Sequence, residues 1–428
     1  MTVNNNAIEA VHARQILDSK CRPIIEVDVI TKGGVRGRGS ASTGTSVGMY
    51  EAVVLVDNNP AKFGGKSVYK AIQNVNDVIG PSIVGLDVTN QKEIDKRMIE
   101  LDGTQNKAKL GGNAIYATSV ACIKAAAATK GMPLYRYLAG GPIKTLPVPT
   151  FNSINGGRYG DFVMGIQEFT FCPYKAESMA EAVEIAMRVF PMIGKVIAEF
   201  QQGRPAKVGH YYGWQPPTED PECTMELLHE AVLRCGYENK VAYALDFASS
   251  EVYDADTKTY YMGGKRLCAD EMIDLARRMT QRYNFLYIED LLDENNWVGY
   301  QKAVQAIDRS IIIGDDFIVT NVERLKKAHA MHAVEGFVFK PNQVGTITES
   351  LETYRFAQEH NMITVPSQRG GGVIDDVVMD LCLAMQTPAV KNSAPRSGER
   401  IYACNALYRA ADENPDAKLF DFTPLTRF

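Results

Sequence analysis

The chain has 428 residues, of which 45% are hydrophobic and 23% charged, an ordinary globular composition that is long enough for a full barrel and a smaller domain. Its net charge of −5 argues against binding to nucleic acid, which requires a basic surface. No apolar run reaches the roughly 18 residues of a membrane span. The first residues lack the features of a signal peptide, so we expect a cytoplasmic protein. Eight cysteines without a C-x-x-C pair favour reduced thiols over disulfides or zinc.

The N-terminal third combines strands with helices. Three β-rich runs predict an antiparallel meander: Ala7–Ala13, Ile24–Thr31 and Glu51–Val56. Three helical segments follow: Val68–Ile79, Gln91–Leu101 and Gly112–Lys130. The last helix is rich in small residues, which is typical of tight packing. Glycine and proline at Gly140–Ile143 mark a boundary, so we predict an N-terminal domain over residues 1–140 and a second domain over residues 141–428.

Within the meander, the segment Gly39–Gly48 contains glycine, serine and threonine and almost no bulky side chains. Such a segment is either a flexible hairpin loop or a mobile lid whose backbone and hydroxyl groups close over a polar ligand. The residues alone favour the hairpin loop.

In the second domain, short apolar runs end repeatedly in a charged residue. The strands predicted from these runs are Tyr243–Asp246, Phe285–Glu289, Ile311–Asp315 and Phe337–Lys340. Helical segments separate or follow them: Asp270–Tyr283, Asn296–Ala306, Val322–Ala330 and Ile347–His360. This alternation predicts βα units with parallel strands, and in a barrel the strand tips share the end that carries the active site.

Three carboxylates and a lysine should therefore meet at that end. Asp246, Glu289 and Asp315 offer the hard oxygen ligands that Mg²⁺ prefers, and Lys340 can act as a base. A cation beside an ammonium group lowers the pKa of the lysine by repulsion of like charges. Lys391 ends a further strand and adds a second lysine. The alternative for each residue is a strand-end charge that merely reaches solvent.

The segments around these positions resemble the barrel motifs of the enolase family. The matching segments are Ala244–Glu251, Ile288–Asp290, Gly314–Asn321, Lys340–Ser350 and Val390–Pro395. Arg14–Ser19, Gly111–Ala114 and Leu146–Gly157 also match, so the resemblance extends over nearly the whole chain. It implies an α/β fold in which an N-terminal α+β domain precedes an enolase-type, modified β/α (TIM) barrel.

The resemblance also implies roles for individual residues. Lys340 matches a catalytic base that acts with Mg²⁺, as the enolase superfamily uses to form an enolate intermediate. Lys391 matches a second lysine that contacts the substrate and stabilises the intermediate, and Glu168 matches a residue on the leaving-group side. Arg369 matches an arginine that binds phosphate.

For the segment Gly39–Gly48, the resemblance favours the lid. The family closes a Pro-Ser-Gly-Ala-Ser-Thr-Gly loop here and uses its second serine on a second Mg²⁺. Alignment on Glu51-Ala52 places that serine at Ser46, so we expect one or two Mg²⁺ per subunit. The resemblance further implies a homo-oligomer, either a dimer or a multiple of dimers.

The sequence departs from the family on the leaving-group and phosphate side. His210 and Tyr211 stand where the family has aspartate and its general-acid glutamate, and Tyr159 replaces a loop histidine. Ser367-Gln-Arg-Gly370 replaces Ser-His-Arg-Ser, and Lys20-Cys-Arg-Pro23 replaces Arg-Gly-Asn-Pro.

The residues at these changed positions are the remaining candidates for catalysis and substrate binding. Tyr211 and His210 are candidate catalytic residues, and Tyr159, Ser367 and Gln368 are candidates for substrate binding. A phenol has a pKa of about 10 where a carboxylic acid has about 4, so Tyr211 needs electrostatic help to protonate a departing hydroxide. A histidine such as His210 ordinarily titrates near neutral pH, although His210 is equally well interpreted as a surface loop residue.

Three functions are compatible with these observations. The first is an ordinary enolase, a carbon-oxygen lyase that interconverts 2-phosphoglycerate and phosphoenolpyruvate. The second is a homologue that forms an enolate from another phosphorylated or phosphonylated carboxylate and releases or transfers a different group, as in carboxyphosphonoenolpyruvate synthase. The third is a catalytically idle protein that binds partners. The retained lysines and carboxylates favour an enzyme, because buried charges are costly unless they are paired or bound to metal.

Overall fold

The computed structural model describes residues 4–44, 47–158, 161 and 164–428. Ser46 and Tyr159 lie outside the described residues. The strands are β1 Ile8–Leu17, β2 Pro23–Thr31, β3 Arg36–Ser40, β4 Thr145–Leu146, β5 Val148–Gly157, β6 Met164–Cys172, β7 Ala242–Asp246, β8 Tyr253–Asp254, β9 Thr259–Met262, β10 Lys265–Leu267, β11 Phe285–Glu289, β12 Ile311–Gly314, β13 Gly336–Phe339, β14 Ile363–Pro366, β15 Ala389–Lys391 and β16 Lys418–Leu419.

The α-helices are α1 Tyr69–Gln73, α2 Gly80–Ile83, α3 Gln91–Asp102, α4 Gly112–Thr129, α5 Leu134–Ala139, α6 Met179–Phe200, α7 Pro221–Arg234, α8 Ala269–Arg282, α9 Trp297–Ala306, α10 Val322–Ala330, α11 Pro341–Val344, α12 Ile347–Glu359, α13 Val378–Met385 and α14 Gly398–Glu413. Short 3₁₀ or π turns occupy Phe63–Gly65, Asn74–Ile79 and Ser249–Val252. Among the described residues, no helix combines the length and apolarity needed to cross a membrane.

The N-terminal sheet is an antiparallel meander of β1, β2 and β3. Its third strand is Arg36–Ser40, so the prediction of a strand at Glu51–Val56 is wrong. The backbone of that run forms hydrogen bonds outside the sheet. The Ala52 N–H donates to the Gln343 carbonyl at 2.7 Å, and the Val53 N–H donates to the Asn106 carbonyl at 2.9 Å. The backbone of this run therefore bonds to α11 and to the segment before α4 rather than to a neighbouring strand.

Glycines allow β3 to pack directly on α4. A Cβ atom on Gly37 would lie 2.1 Å from the Ala121 carbonyl oxygen, and one on Gly39 would lie 2.3 Å from the Ala117 carbonyl oxygen. The facing residues of α4 are buried alanines, which also lack bulk. The predicted tight packing of this helix is thus confirmed, and it fixes the sheet against the helical layer.

Eight strands form a nearly closed barrel in the order β14, β13, β12, β11, β7, β6, β5 and β15. The strands β7, β11, β12, β13 and β14 are parallel to their neighbours in this run, as the βα alternation predicts. The strand β6 is antiparallel to both β5 and β7, which is the departure from a regular barrel. A parallel bridge between Ser367 and Lys391 joins the two ends of the sheet.

Candidate active site

The carboxyl ends of the barrel strands surround a small cavity of about 30 Å³. The predicted site residues that line it are Glu168, Tyr211, Asp246, Lys340, Ser367, Gln368, Arg369 and Lys391. All eight are buried, as are Glu289 and Asp315. The alternative that these strand-end charges merely reach solvent is therefore wrong.

Lys391 lies among three carboxylates from adjacent strands. The strand register places Glu168 and Glu289 on either side of Asp246. The Lys391 Nζ atom is 2.6 Å from a Glu289 oxygen, and it lies 3.1 Å and 3.2 Å from oxygens of the other two residues. Burial opposes its positive charge, but the three carboxylates outweigh burial and raise the pKa of Lys391 well above its ordinary value. Lys391 is therefore held as an ammonium ion.

Lys340 follows β13 and pairs with Asp315, which follows β12. The Lys340 Nζ atom donates to Asp315 Oδ2, and Gln343 Nε2 donates to the other carboxylate oxygen at 2.8 Å. Burial opposes the charge of Lys340, and Asp315 outweighs it, so the pKa of Lys340 is raised; Arg369 and Lys391 act in the opposite direction. In the described part of the chain, Lys340 has one carboxylate in ion-pair contact where Lys391 has three.

Asp246, Glu289 and Asp315 are chemically suited to a hard divalent cation. They offer only oxygen donors, and the Lys391 ammonium lies within hydrogen-bond distance of the first two, so their oxygens already converge on a positive charge. Burial, followed by repulsion from Asp246, raises the pKa of Glu289 well above its ordinary value. A divalent cation held by these three side chains would offset that repulsion.

The described residues contain one group of three carboxylates whose oxygens lie within 4.8 Å of one another: Asp290, Asp315 and Asp316. It shares only Asp315 with the predicted ligand set. Asp290 accepts the backbone N–H groups of Asp315 at 2.8 Å and of Asp316 at 2.7 Å, and its φ is 46°. Because its oxygens are engaged by the backbone, Asp290 positions Asp315 and is not assigned as a metal ligand.

Glu168 is connected by hydrogen bonds to the neighbouring loop that carries Tyr211. Asn152 Nδ2 donates to Glu168 Oε1, and Asn155 Nδ2 donates to Asn152 Oδ1, both at 2.8 Å. Asn155 Oδ1 accepts the backbone N–H groups of Tyr211 at 3.2 Å and Gly213 at 2.8 Å. The two asparagines of β5 therefore fix the backbone of this loop relative to Glu168.

The guanidinium group of Arg369 is held in place by Glu51. Its Nη1 and Nη2 atoms donate to the two carboxylate oxygens of Glu51 at 2.9 Å and 3.0 Å, and both side chains are buried. Nη1 also donates to Asn342 Oδ1 at 3.2 Å. A bidentate pair of this kind sets orientation as well as energy. Arg369 thus lines the cavity in a fixed orientation. An anion that enters the cavity would bind a guanidinium group that already donates hydrogen bonds to Glu51.

Part of the segment Gly39–Gly48 lies against the cavity. Gly44 lines the cavity, and the Thr43 carbonyl accepts a hydrogen bond from Arg22 Nη2 at 2.8 Å. In the described chain this segment leaves β3 at the edge of a three-stranded sheet, so it does not connect two paired strands. The hairpin interpretation is therefore wrong, and the position agrees with a covering loop. The predicted ligand Ser46 lies outside the described residues.

Comparison with known proteins matches both parts of the chain. The family model described as the enolase N-terminal domain covers residues 8–138, and the one described as the enolase C-terminal TIM barrel domain covers residues 143–423. The chain belongs to the enolase family. Among its relatives, the protein named enolase from Methanocaldococcus jannaschii is 40% identical over 406 residues, or 95% of both chains. The protein named enolase from Methanococcus maripaludis strain C5 is 39% identical over 95% of both chains. The one from Methanopyrus kandleri is 38% identical over 96% of this chain and 97% of its own length.

Where this member departs from the enolase pattern, the changed residues contact one another. The Lys20 Nζ atom lies 4.5 Å from the centroid of the Tyr211 ring, and the His210 ring packs edge-on against the same ring with centroids 5.0 Å apart. The Tyr212 hydroxyl donates to the Ser19 carbonyl at 2.7 Å, which holds the two segments together. The replaced signature at residues 20–23 and the replaced acid loop thus form one structural unit.

The surroundings of His210 and Lys20 alter their protonation. His210 is exposed and does not line the cavity. Partial burial against Tyr211, followed by repulsion from Lys20 and Arg22, lowers the pKa of His210 to about 4. Its imidazole is therefore neutral at pH 7, which favours the surface-loop interpretation over an acid role. Burial and Arg22 lower the pKa of Lys20 to about 8.

Gln368 and Arg369 have a partner that the sequence did not indicate. Arg400 Nη1 donates to Gln368 Oε1 at 2.8 Å, and Arg400 Nη2 donates to the Arg369 carbonyl at 2.6 Å. Arg400 is buried, and burial lowers its pKa. The neutral amide of Gln368 thus accepts a hydrogen bond that a protonated histidine could not.

The structure also places at the cavity four residues that were not among the predicted site residues. Gln167, Gly44, Gly370 and Ser393 line the cavity. Gln167 precedes Glu168 on β6 and is buried. Its signal in the sequence is its place next to Glu168, but only the structure shows that both residues reach the cavity.

Proposed function

We propose that this protein is a Mg²⁺-dependent lyase of the enolase type, which removes the proton next to the carboxylate of a small phosphorylated or phosphonylated acid to form an enolate. The observation that carries the proposal is the pair of buried lysines, Lys340 and Lys391, which line one cavity and contact the strand-tip carboxylates. The relatives named enolase, which are 38–40% identical over almost the full length, support it.

The two lysines are suited to different tasks. The three carboxylates that hold Lys391 as an ammonium ion make it a stabiliser of negative charge in the enolate. Lys340 has one acidic partner, Asp315, which raises its pKa, and two cationic neighbours that oppose its protonation. A dication bound to Asp315 would weaken that one acidic contact, so Lys340 is the better base. Mg²⁺, held by Asp246, Glu289 and Asp315, would supply the further positive charge that stabilises the doubly charged carboxylate.

Proton exchange tests this assignment without requiring the full reaction. With 2-phosphoglycerate, Mg²⁺ and D₂O, we expect the protein to exchange the C2 proton, measured by ¹H NMR. Lys340→Ala should abolish exchange because it removes the base, whereas Tyr211→Phe should retain it because the ring still fills the loop. An ordinary enolase would in addition form phosphoenolpyruvate at full rate, measured by its ultraviolet absorbance.

A second candidate is an enolate-forming enzyme that releases or transfers a group other than water. The observation that favours it is Tyr211 at the general-acid position, with Lys20 against its ring and a neutral His210 beside it. Exchange without elimination would support this candidate. If Mg²⁺ binds and 2-phosphoglycerate shows neither exchange nor turnover, the assignment of this substrate is wrong.

The remaining properties follow from the same proposal. We infer one or two Mg²⁺ per subunit, a cytoplasmic location and assembly into a homodimer or a multiple of dimers. The same proposal divides the chain into a covering domain over residues 1–140 and a catalytic barrel over residues 141–428.

A further inference from the structure

Three of the six histidines of the chain lie together at the end of the barrel opposite the lysine cavity. His329 and His332 lie at the end of α10, before β13, and His360 follows α12, before β14. They line a cavity of about 280 Å³ together with Glu335 and Arg427. The enolate chemistry uses none of these residues.

The imidazole ring of His329 lies close to the other two imidazole rings. The ring centroids of His329 and His360 are 4.5 Å apart, and those of His329 and His332 are 6.4 Å apart. Two imidazoles bound to one metal through nitrogen at about 2.0–2.1 Å in a tetrahedral site have centroids about 5 Å apart. The observed separations lie on either side of that value.

His360 is oriented as a metal-binding histidine should be. Its Nδ1 atom is 2.8 Å from the Phe356 carbonyl oxygen, which can only accept, so Nδ1 donates and Nε2 of the neutral ring keeps its lone pair. The ring also stacks on Phe356, with centroids 4.1 Å apart and an interplanar angle of 27°. A backbone carbonyl that fixes one nitrogen so that the other can bind metal is the usual outer-shell arrangement for such a ligand.

The charges around the cavity do not oppose a cation. Arg427 is the nearby positive side chain, and its Nη2 atom donates to Glu335 Oε1 at 2.6 Å. The Arg427–Glu335 pair has no net charge. It would therefore not repel a dication bound by the three imidazoles. Imidazole nitrogens favour Zn²⁺, Ni²⁺ and Cu²⁺, whereas Mg²⁺ prefers the oxygens of the strand-tip cavity.

We propose that His329, His332 and His360 form a binding site for a transition-metal dication such as Zn²⁺. The metal would connect α10 to α12 at the base of the barrel, with water completing its coordination. In the described residues only the aspartate group has three ligand atoms within 4.8 Å, so the histidine site closes by side-chain rotation. His332 is exposed and can rotate toward the other two rings without disturbing the core, while the contacts with Phe356 keep His360 in place.

Calorimetric titration of the full chain with ZnCl₂ at pH 7.5 tests the proposal, after chelator treatment and saturation with Mg²⁺ to fill the oxygen site. We expect one Zn²⁺ per chain. His332→Ala and His360→Ala should each weaken binding about tenfold or more, because each removes one of three nitrogen ligands. His12→Ala, at an exposed position on β1, is the matched control and should bind as wild type does.

Two outcomes would overturn the proposal. One is unchanged Zn²⁺ affinity in the His332→Ala/His360→Ala double variant. The other is loss of Zn²⁺ binding in Asp246→Asn, which would place the zinc at the strand tips. Equal melting temperatures of metal-free wild type and double variant will show that both are folded. Electron paramagnetic resonance of bound Cu²⁺ should show hyperfine structure from several imidazole nitrogens in wild type and from fewer in the double variant, which keeps only His329.

Discussion

At the end of the barrel that carries the lysine cavity, Arg369 and Gln368 each have a specific buried partner. Arg369 shares its guanidinium with Glu51, whereas Gln368, in place of the family's histidine, accepts a hydrogen bond from Arg400. Both contacts are buried, so their geometry is set by the protein before any substrate enters. Removing one partner of a buried charged pair costs more than the pair contributes, because the other charge is left without compensation. The guanidinium of Arg369 should therefore be intolerant of substitution.

Arg369→Lys should lower kcat/KM by about 10- to 100-fold, since a hydrogen bond to a charged group contributes about 1.5–3 kcal/mol and lysine cannot reproduce the bidentate fork. Steady-state kinetics on the true substrate measure the effect, and a thermal melt separates it from loss of folding. The exposed Arg409→Lys is the control. Wild-type kinetics for Arg369→Lys would mean that the substrate anion binds elsewhere.

Among the secondary-structure elements, close backbone packing decides the N-terminal fold. The glycines of β3 allow its backbone to approach α4 so closely that a methyl group has no room. The strand β3 ends at Ser40, and Gly44, four residues further on, lines the cavity. The packing of α4 against β3 thus sets the position of the strand that leads to the cavity.

Gly39→Ala should destabilise the protein by about 1–3 kcal/mol or more, because the added Cβ would lie 2.3 Å from the Ala117 carbonyl oxygen and must push β3 away from α4. Urea unfolding monitored by circular dichroism measures the change. Gly141→Ala is the matched control, since nothing lies within 4 Å of its Cβ, and it should be neutral or slightly stabilising. Equal unfolding midpoints for both variants would contradict this account of the packing.

At the scale of the whole molecule, the barrel brings charges from distant parts of the chain into one buried cluster. Asp246, Glu289 and Lys391 are separated by up to 145 residues, yet strand register and barrel closure place oxygens of both carboxylates within 3.1 Å of the Lys391 Nζ atom. The balance of charge is incomplete within the protein alone, because two lysines face four carboxylates: Glu168, Asp246, Glu289 and Asp315. A bound dication would take over part of that balance, so metal binding and folding stability should be linked.

Mg²⁺ should raise the melting temperature of the wild-type chain. At a concentration 100 times its dissociation constant, a ligand that binds only the folded state adds about 2.7 kcal/mol. Differential scanning calorimetry with and without Mg²⁺ measures the shift, which a chelator should reverse. Asp246→Asn should reduce the shift by removing a ligand, and Asp412→Asn, at an exposed position on α14, should not. If Mg²⁺ does not change the melting temperature of the wild-type protein, the proposed metal site is wrong.

The sequence by itself determined the features that depend on local pattern. Short apolar runs with charged ends predicted β7, β11, β12 and β13 and placed Asp246 and Lys340 at one end of the barrel, because strand period and parallel βα connections follow from near neighbours. Only the tertiary structure decided that Arg36–Ser40 is the third strand of the sheet. It also decided that Asp290 binds the backbone and that Arg369 pairs with Glu51, 318 residues away. Each of these depends on a partner that is not adjacent in the chain, namely α4 for the packing of β3, Asp315 for Asp290 and Glu51 for Arg369. Local propensity carries no information about such partners.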